Sequence, residues 1–402
     1  MTRSYITSAT LIGTLAMTGV ANGQPPPNIV QSDAVGNTAM GSAAMATNTS
    51  GYQNTAAGAH ALEANTTGNR NVAVGQGAMR YNTDGTFNTG VGDGALYYNT
   101  TGIYNTAFGY DALANTTTGY YNAACGALAL SSNTLGHDNA AMGQVALWYN
   151  TTGNQNTAAG AGSMKQNTSG SNNSAAGFEA LQANTTGQNN TTMGSGAMVD
   201  NLTGGDNTAL GANALGTNQG GSNNIALGFN AGYYLRGGLY NIEIGNVGTA
   251  NDAGTIRIGT SNQQSATYVA GITNAHLAGS AVYISASGQL GVLASSERYK
   301  TDIASLGSRT DRMSQLRPVS FRLKSDPEAG VQYGLIAEEV AKVYPELVIR
   351  DEKGKIEGVR YEELTPMLLN EIQRQQAQLV DMQRELAELQ EFRRSMQRGA
   401  VR

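Results

Sequence analysis

Residues 88–104 read NTGVGDGALYYNTTGIY, and residues 105–121 read NTAFGYDALANTTTGYY. The two segments share a first Asn, a Gly at the fifth residue, an Ala-Leu pair and a late Gly, and this pattern recurs every 17 residues. A constant period in this range is typical of a solenoid, in which each unit forms one coil stacked on the last. The anchoring residues, which define position 0 of each coil, are Asn37, Asn54, Asn71, Asn88, Asn105, Asn122, Asn139, Asn156, Asn173, Asn190, Asn207, Asn224 and Asn241.

Positions 1 to 3 of each coil are small, β-branched or apolar, which favours a short strand. Because side chains alternate along a strand, positions 1 and 3 share one face and position 2 faces the other way. Position 3 is apolar throughout, including Met40, Val91, Phe108, Cys125 and Ile244. We expect this column to fill the coil interior, with Cys125 as a buried apolar residue. The alanines at position 2 would then approach another strand or another chain.

The glycines and asparagines indicate how each coil turns. Gly at positions 4 and 14, Gly92 and Gly102 in the first quoted unit, favours bends with φ > 0 because it has no Cβ. Stacked asparagines can form hydrogen bonds from one coil to the next. Helix is disfavoured, since Gly and Asn at this density would cost roughly 0.5–1 kcal/mol each. The repeat therefore predicts a mainly β fold with a parallel β-roll, or solenoid, over residues 34–247.

Charge is distributed unevenly along the 402 residues. Residues 295–402 hold 18 of the 24 Lys and Arg residues and 18 of the 29 Asp and Glu residues. An uncharged first part and a charge-dense last part indicate two kinds of structure. With a net charge of -5, the chain has no excess of positive charge that would bind nucleic acid, so we expect no nucleic-acid partner.

The N-terminus has the pattern of a secretory signal over residues 1–23. Arg3 precedes a mildly apolar run from Ile6 to Val20, and Ala21-Asn22-Gly23 supplies small residues for cleavage. The run is too short and polar to span a bilayer. We therefore predict a secreted or cell-surface protein with no membrane span after signal removal, beginning with a proline-rich lead-in at 24–33.

Potential metal ligands are sparse and scattered. The single cysteine, Cys125, has no partner nearby, and His60, His137 and His276 form no ligand spacing. We expect no metal and no cofactor.

The NTAAG, NVAVG, NTALG and NIALG pentads of the repeat resemble the head repeats of trimeric autotransporter adhesins. The resemblance covers roughly half the chain, and this unit is longer, with the additional residues in the Asn-Thr-Thr-Gly turn. It implies a left-handed parallel β-roll that assembles as a homotrimer. We do not expect the membrane-anchoring β-barrel of that family here, because the C-terminal sequence given predicts a helix.

Aromatic residues cluster in the loop half of five successive coils. They could stack on sugar rings of a glycan or pack on a host-surface protein, or instead cover the seam of a trimer, and the sequence favours neither. A third interpretation, an ice-binding face made by the regular Thr pairs, is weaker because those residues fall in turns. The aromatic residues are Tyr81, Phe87, Tyr97, Tyr98, Tyr104, Tyr110, Tyr120, Tyr121, Trp148 and Tyr149.

Residues 248–294 lose the repeat, and their short β-type segments predict a β neck. The segments that follow occur in the order and spacing of the C-terminal intramolecular chaperone of phage endosialidases and tail fibres, a self-cleaving serine peptidase family. We assign residues 295–363 to such a small α+β domain by this resemblance. The matching segments are SSERYKTDI (295–303), LRPVSF (316–321), YGLIAEEV (333–340), YPELV (344–348) and VRYEEL (359–364).

The resemblance implies a catalytic Ser–Lys dyad in a Ser-x-x-Arg-x-Lys frame, here Ser295, Arg298 and Lys300. Many members have Asp directly after the Ser, where this chain has Ser296. A Ser hydroxyl is a poor nucleophile until a base takes its proton, and Lys can be that base only when burial lowers its pKa. A turn must bring the two side chains together. We predict cleavage at Ala294–Ser295, with Ser295–Ser296 as the alternative bond.

Residues 364–402 predict a coiled-coil helix. Ile372, Leu379 and Leu386 form one heptad row, and Met382 and Leu389 belong to the other. With Glu/Arg-rich flanks, this pattern fits a parallel multi-stranded coil.

Together these features predict a homotrimeric fibre with a binding head, a β neck and a C-terminal chaperone that directs trimerisation. The only enzymatic activity that these features predict is cleavage of its own chain. The alternative is a phage-derived tail fibre with a receptor-binding head. A head that hydrolyses polysaccharide is not supported, because the repeats contain no recurring carboxylate pair.

Overall fold

The computed structural model describes residues 31–261, 263–270, 281–285, 287–324, 328, 330–351 and 353–399. The chain divides into two compact units, residues 1–270 and 271–402. The predicted signal peptide and most of the lead-in lie outside the described residues.

Each 17-residue unit contributes one three-residue strand to a single sheet of fifteen strands in chain order. The first pair is antiparallel and every later pair is parallel, with Thr89 opposite Thr106 as a representative register. The strands are β1 (Gln31–Ser32), β2 (Thr38–Met40), β3 (Thr55–Ala57), β4 (Val72–Val74), β5 (Thr89–Val91), β6 (Thr106–Phe108), β7 (Ala123–Cys125), β8 (Ala140–Met142), β9 (Thr157–Ala159), β10 (Ser174–Ala176), β11 (Thr191–Met193), β12 (Thr208–Leu210), β13 (Ile225–Leu227), β14 (Ile242–Ile244) and β15 (Ile256–Ile258). The prediction of a mainly β solenoid with a 17-residue period is confirmed.

The sheet continues one strand past residue 247, where the sequence analysis ends the repeat. β15 pairs with β14 through Ile242 and Ile256, so fewer residues separate these two strands than separate the earlier neighbouring strands of the repeat. The segment at 255–258, interpreted from sequence as part of the neck, therefore contributes the last strand of the solenoid sheet.

Backbone hydrogen bonds also join successive coils outside the strands. The amide of Leu96 donates to the Ala112 carbonyl at 2.9 Å, and that of Thr100 donates to the Thr117 carbonyl at 3.1 Å. These hydrogen bonds between successive coils satisfy polar backbone groups outside the strands, which three-residue strands alone would leave unpaired. This explains how such short strands support a long solenoid.

The face of each strand that points inward is the opposite of the one predicted. Ala107 and Ala141, at position 2, are fully buried, whereas Met142 at position 3 is 57 % exposed. Cys125, also at position 3, is exposed rather than buried. The interior is narrow: alanines at positions 2 and 7 and a Leu or Met at position 8, such as Leu113, already fill it. No room remains for Phe or Met at position 3, so the prediction of an interior position-3 column is wrong.

The glycines that recur at positions 4 and 14 of the coils are needed for different physical reasons. Gly92 at position 4 has φ of 139°, and the predicted positive φ is confirmed there. Gly102 at position 14 does not have positive φ, so that part of the prediction is wrong. A Cβ on Gly102 would lie 2.3 Å from Asn99 Oδ1 and 2.5 Å from the Gly119 carbonyl oxygen. Position 14 is Gly because the coils leave no space for a side chain.

Two columns of buried asparagine run through the solenoid, of which the sequence analysis identified one. At position 0, Asn88 Nδ2 donates to the Gly102 carbonyl at 2.8 Å, and its backbone amide donates to Asn71 Oδ1 at 3.0 Å. At position 11, Asn82 Nδ2 donates to Asn65 Oδ1 at 2.8 Å. These side chains pair polar groups that would otherwise be costly to bury.

Within its described residues, the second unit contains short antiparallel strand pairs and two α-helices. A buried cluster of Val340, Tyr344, Leu347, Val348, Val359, Leu364 and Met367 forms its core. Its elements are β16 (Tyr283–Ile284), β17 (Leu290–Gly291), β18 (Val319–Phe321), β19 (Gln332–Gly334), α1 (Ala337–Val343), β20 (Val348–Arg350), β21 (Ile356–Val359) and α2 (Tyr361–Gly399). This arrangement matches the predicted small α+β domain followed by a long helix.

Candidate functional site

A single 3-10 turn brings the two predicted dyad residues together. The turn spans Glu297–Tyr299, and the Lys300 amide donates to the Glu297 carbonyl at 2.9 Å. The chain folds back so that Lys300 Nζ donates to Ser295 Oγ at 3.1 Å. Ser295 and Lys300 are five positions apart in sequence, and the turn allows the contact between them that the resemblance implies.

The surroundings of this pair are open to solvent. Ala294, Ser295, Ser296 and Lys300 are all exposed, and the Arg298 guanidinium lies over its neighbouring Tyr299 ring at 4.8 Å. The pair places a candidate nucleophile in hydrogen-bonding contact with a candidate base, and the predicted cleavage site Ala294–Ser295 beside it is exposed. The described chain supplies no cover that would exclude water from it.

The segments that follow this turn meet in one small core. Arg317 forms a salt bridge with Glu339 at 2.5 Å, and its hydrogen bond holds the pKa of that carboxyl below its usual value. The Leu335 amide donates to the Tyr361 hydroxyl at 2.8 Å. Tyr344 is almost fully buried and donates its hydroxyl proton to the Arg309 carbonyl at 3.2 Å. Each of these contacts joins segments distant in sequence.

On the solenoid, aromatic side chains of successive coils stack on one another. The Phe87 and Tyr104 rings are 4.7 Å apart and nearly parallel, and Tyr104 and Tyr121 are 5.2 Å apart. The Arg70 guanidinium lies 5.1 Å from the Phe87 ring centroid. Because these rings cover each other's faces, a ligand can reach only their edges. Stacking of a sugar ring on these faces is therefore disfavoured.

These stacked residues also have a left-handed backbone. Phe87, Tyr104 and Tyr121 have φ between 55° and 58°, a conformation that bulky side chains adopt at a cost. Other coils place Asn172 or Asn189 at the same position, and Asn tolerates it better. The aromatic column thus departs from the Asn preference at this position in a limited set of coils.

Comparison with known proteins identifies the C-terminal segment. Residues 295–349 match a peptidase family model described as chaperone of endosialidase. This segment is a chaperone-of-endosialidase domain. Neither the curated proteins nor the solved structures contain a match to the chain. The matched range begins at Ser295, so the chaperone-of-endosialidase domain includes the turn that holds the candidate dyad.

Two negative findings apply to the described residues only. No group of three or more His, Cys, Asp or Glu residues there could hold a metal ion. Within the same ranges, no helix is both long and apolar enough to cross a membrane.

The sequence did not predict a buried acid at the end of the solenoid. Glu243 occupies position 2, where most coils have Ala, and it is fully buried. Neither of its carboxyl oxygens has a hydrogen-bond partner. A charged residue in an alanine column was the available signal, and it was not recognised because position 2 was assigned to the outer face.

Proposed function

We propose that this protein is a secreted or surface-exposed homotrimeric fibre whose solenoid binds a target and whose chaperone-of-endosialidase domain directs trimerisation. The domain would then remove itself by cleavage beside Ser295. The observation that carries the proposal is that this domain follows a long solenoid with an uncovered apolar sheet face. Tail fibres of phages combine a chaperone of this kind with an extended body, so a phage-derived tail fibre is the second candidate.

The outer face of the solenoid sheet supports self-association. Position 3 carries Phe108, Met142, Met193 and Leu210, which are between 37 % and 61 % exposed in the single chain, and no coil has a charged residue there. A row of exposed apolar side chains along one sheet face is a feature typical of protein interfaces. A second and third copy of the same sheet would cover it.

Helix α2 supports the same conclusion at the other end of the chain. The seam residues Ile372, Leu379, Met382, Leu386 and Leu389 are each at least half exposed. An isolated helix with an apolar heptad seam buries that seam by pairing with parallel copies. The predicted coiled coil would therefore form between chains.

The Ser295–Lys300 contact supports self-cleavage. The Lys300 amine would take the hydroxyl proton as Ser295 Oγ attacks the Ala294 carbonyl carbon, which breaks the Ala294–Ser295 amide and leaves an ester. Water would hydrolyse that ester, and the proton would pass to the released α-amine. A lysine acts as a base only in its neutral form, which burial favours. Because the pair is exposed in the single chain, we infer that assembly covers it and that cleavage follows trimerisation.

The test compares Ser295→Ala and Lys300→Ala with the wild type on a denaturing gel. The wild type should release a C-terminal fragment of about 108 residues, counted from Ser295 to the end of the chain. Both variants should remain intact and still associate, and Ser296→Ala, the matched control, should cleave. Cleavage that persists in both dyad variants would refute the dyad. A wild type that assembles and stays intact would leave the domain with its chaperone role alone.

For the head, a glycan or host-surface protein is the proposed ligand class. The edges of the Phe87, Tyr104 and Tyr121 column and the Arg70 guanidinium form the exposed surface. Replacing Tyr104 and Tyr121 together by Asn, the residue type found at this position in other coils, should keep the fold and abolish binding to target cells. Unchanged cell binding would exclude this surface as the binding site.

A further inference from the structure

The C-terminal end of the solenoid contains a carboxyl group in an environment that suits only its neutral form. Glu243 lies on β14 between Ala226 of β13 and Arg257 of β15. A Cβ added to Gly248 would lie 3.3 Å from Glu243 Oε1 and 3.2 Å from Leu235 Cγ, so the carboxyl lies close to an apolar side chain and has little free space around it. The side chain is fully buried and both oxygens lack a partner. An ionised carboxylate in such a place would be costly.

The nearest cation does not neutralise this carboxyl. Arg257 donates from Nε and Nη2 to the two carboxyl oxygens of Asp252 at 2.8 Å and 2.7 Å. Asp252 also accepts a hydrogen bond from the Thr249 amide at 2.8 Å. The charged groups that act on Glu243 are therefore the Asp252 carboxylate, on the loop before β15, and the Arg257 guanidinium, on β15. β13 presents Ala226 and the preceding segment presents Leu235, which are both apolar.

Hydrogen bonds of Asp252 and of the segment that follows it close the end of the solenoid. The Asp252 carbonyl accepts from Asn241 Nδ2 at 3.2 Å, so this loop continues the buried asparagine column. The Thr255 carbonyl accepts from the Ile242 amide at 2.9 Å, and the Gly259 amide donates to the Ile244 carbonyl at 2.8 Å. Any change that draws Arg257 away from Asp252 would loosen these contacts together.

We propose that the last step of the solenoid, residues 242–259, is a proton-dependent closure held by neutral Glu243. In the closed form the carboxyl keeps its proton and Arg257 stays paired with Asp252. Once the proton is lost, the carboxylate competes with Asp252 for Arg257 or moves toward water, and either change opens the segment. The last strand then separates from the sheet while the earlier coils remain stacked.

The direction of the pH effect follows from proton linkage. Burial, followed by repulsion from Asp252, raises the pKa of Glu243 from 4.5 to about 7, while Arg257 acts in the opposite direction. In the opened form, where the carboxyl reaches water, its pKa returns toward the ordinary value. Below pH 4.5 both forms hold the proton and pH has no effect. Between pH 4.5 and about pH 7 only the opened form releases the Glu243 proton, so the closed form becomes less stable as pH rises. Above about pH 7 both forms have released it, and the stability of the closed form no longer changes with pH.

The experiment measures hydrogen exchange of the Ile242 and Gly259 amides between pH 4 and 9, corrected for the intrinsic exchange rate at each pH. Protection should fall by up to about tenfold per pH unit between pH 5 and 7, since one proton is released on opening. It should be constant above about pH 7.5. The Thr157 amide, which donates to Asn173 in the middle of the solenoid, serves as an internal control and should show no such dependence.

Two variants test whether the Glu243 proton, and not another group, causes the pH dependence of amide protection. Glu243→Ala restores the residue common at position 2, and Glu243→Gln keeps the size without a titrating group. Both should make protection of Ile242 and Gly259 independent of pH. The proposal is overturned if the wild type shows no fall in protection between pH 5 and 7. It is also overturned if either variant retains that fall.

Discussion

Asn99 and Thr116 occupy position 11 of neighbouring coils, and the Oδ1 of Asn99 and the Oγ1 of Thr116 are both buried without a hydrogen-bond partner. In the neighbouring coils this position is Asn, and each amide donates to the one before it, as Asn99 Nδ2 does to Asn82 Oδ1 at 2.7 Å. After the break the column resumes with Asn150 donating to Asn133 at 2.8 Å. The solenoid therefore contains one defect in an otherwise continuous column.

Thr116→Asn should repair this column and stabilise the solenoid. The new amide would donate to Asn99 Oδ1, and its oxygen would accept from Asn133 Nδ2. Two added hydrogen bonds at about 1 kcal/mol each should raise the free energy of unfolding by about 1–3 kcal/mol. Thermal denaturation measures the change, with exposed Thr118→Asn as the control. A melting temperature equal to or below that of the control would contradict the column's role.

Gly153→Ala should destabilise the protein through lack of space. An added Cβ would lie 2.4 Å from both Asn150 Oδ1 and the Gly170 carbonyl oxygen. Displacing these groups should cost about 1–3 kcal/mol. Gly237→Ala is the matched control, because nothing lies within 4 Å of its added Cβ. Similar denaturation curves for the two variants would show that position 14 tolerates a side chain.

Neighbouring residues on β8 should respond oppositely to a carboxylate. Ala141 is fully buried, so Ala141→Asp places an unpaired charge in the interior and should cost about 3–5 kcal/mol. Met142→Asp alters only the exposed face, and should leave circular dichroism unchanged while shifting the protein toward monomer. Circular dichroism and sedimentation velocity measure the two effects. Loss of structure in Met142→Asp with tolerance of Ala141→Asp would reverse the assignment of faces.

The α2 seam should be necessary for assembly. Leu386 is 56 % exposed in the single chain, and Leu386→Glu would place a charge at the centre of a coiled coil. We expect this variant to yield monomer in size-exclusion chromatography, whereas Ala387→Glu, one residue outside the seam, should assemble normally. Assembly of both variants would show that α2 does not mediate contact between chains.

The repeat predicted the solenoid because a constant period constrains the backbone of every coil at once. It did not predict which strand face points inward. Alternation along a strand places Ala141 and Met142 on opposite faces, but both columns are apolar, so hydropathy does not distinguish them. The deciding quantity is the width of the coil, which Ala and Leu side chains fill. That width depends on how the turns close, and no local sequence feature specifies it.

The chaperone-of-endosialidase domain was predicted correctly from the sequence, whereas the roles of Ser295 and Lys300 as a catalytic dyad stay a prediction. Five segments in order identified the chaperone-of-endosialidase domain, and the structure contains the turn that the five-residue separation of Ser295 and Lys300 requires. Glu243 and the position-11 asparagines were not predicted, because each depends on burial. Asn82 and its equivalents belong to an Asn-Thr-Thr-Gly-like segment that is typical of a surface turn. Their inward orientation follows from coil-to-coil contacts that the turn sequence does not encode.

The central claim is that three copies of this chain form the fibre, and multi-angle light scattering of the Ser295→Ala variant tests it most directly. This variant removes the proposed nucleophile, so the chain should stay intact and its mass should be simple to interpret. The account predicts a molar mass three times that of one chain at micromolar concentration. A mass equal to one chain would contradict it.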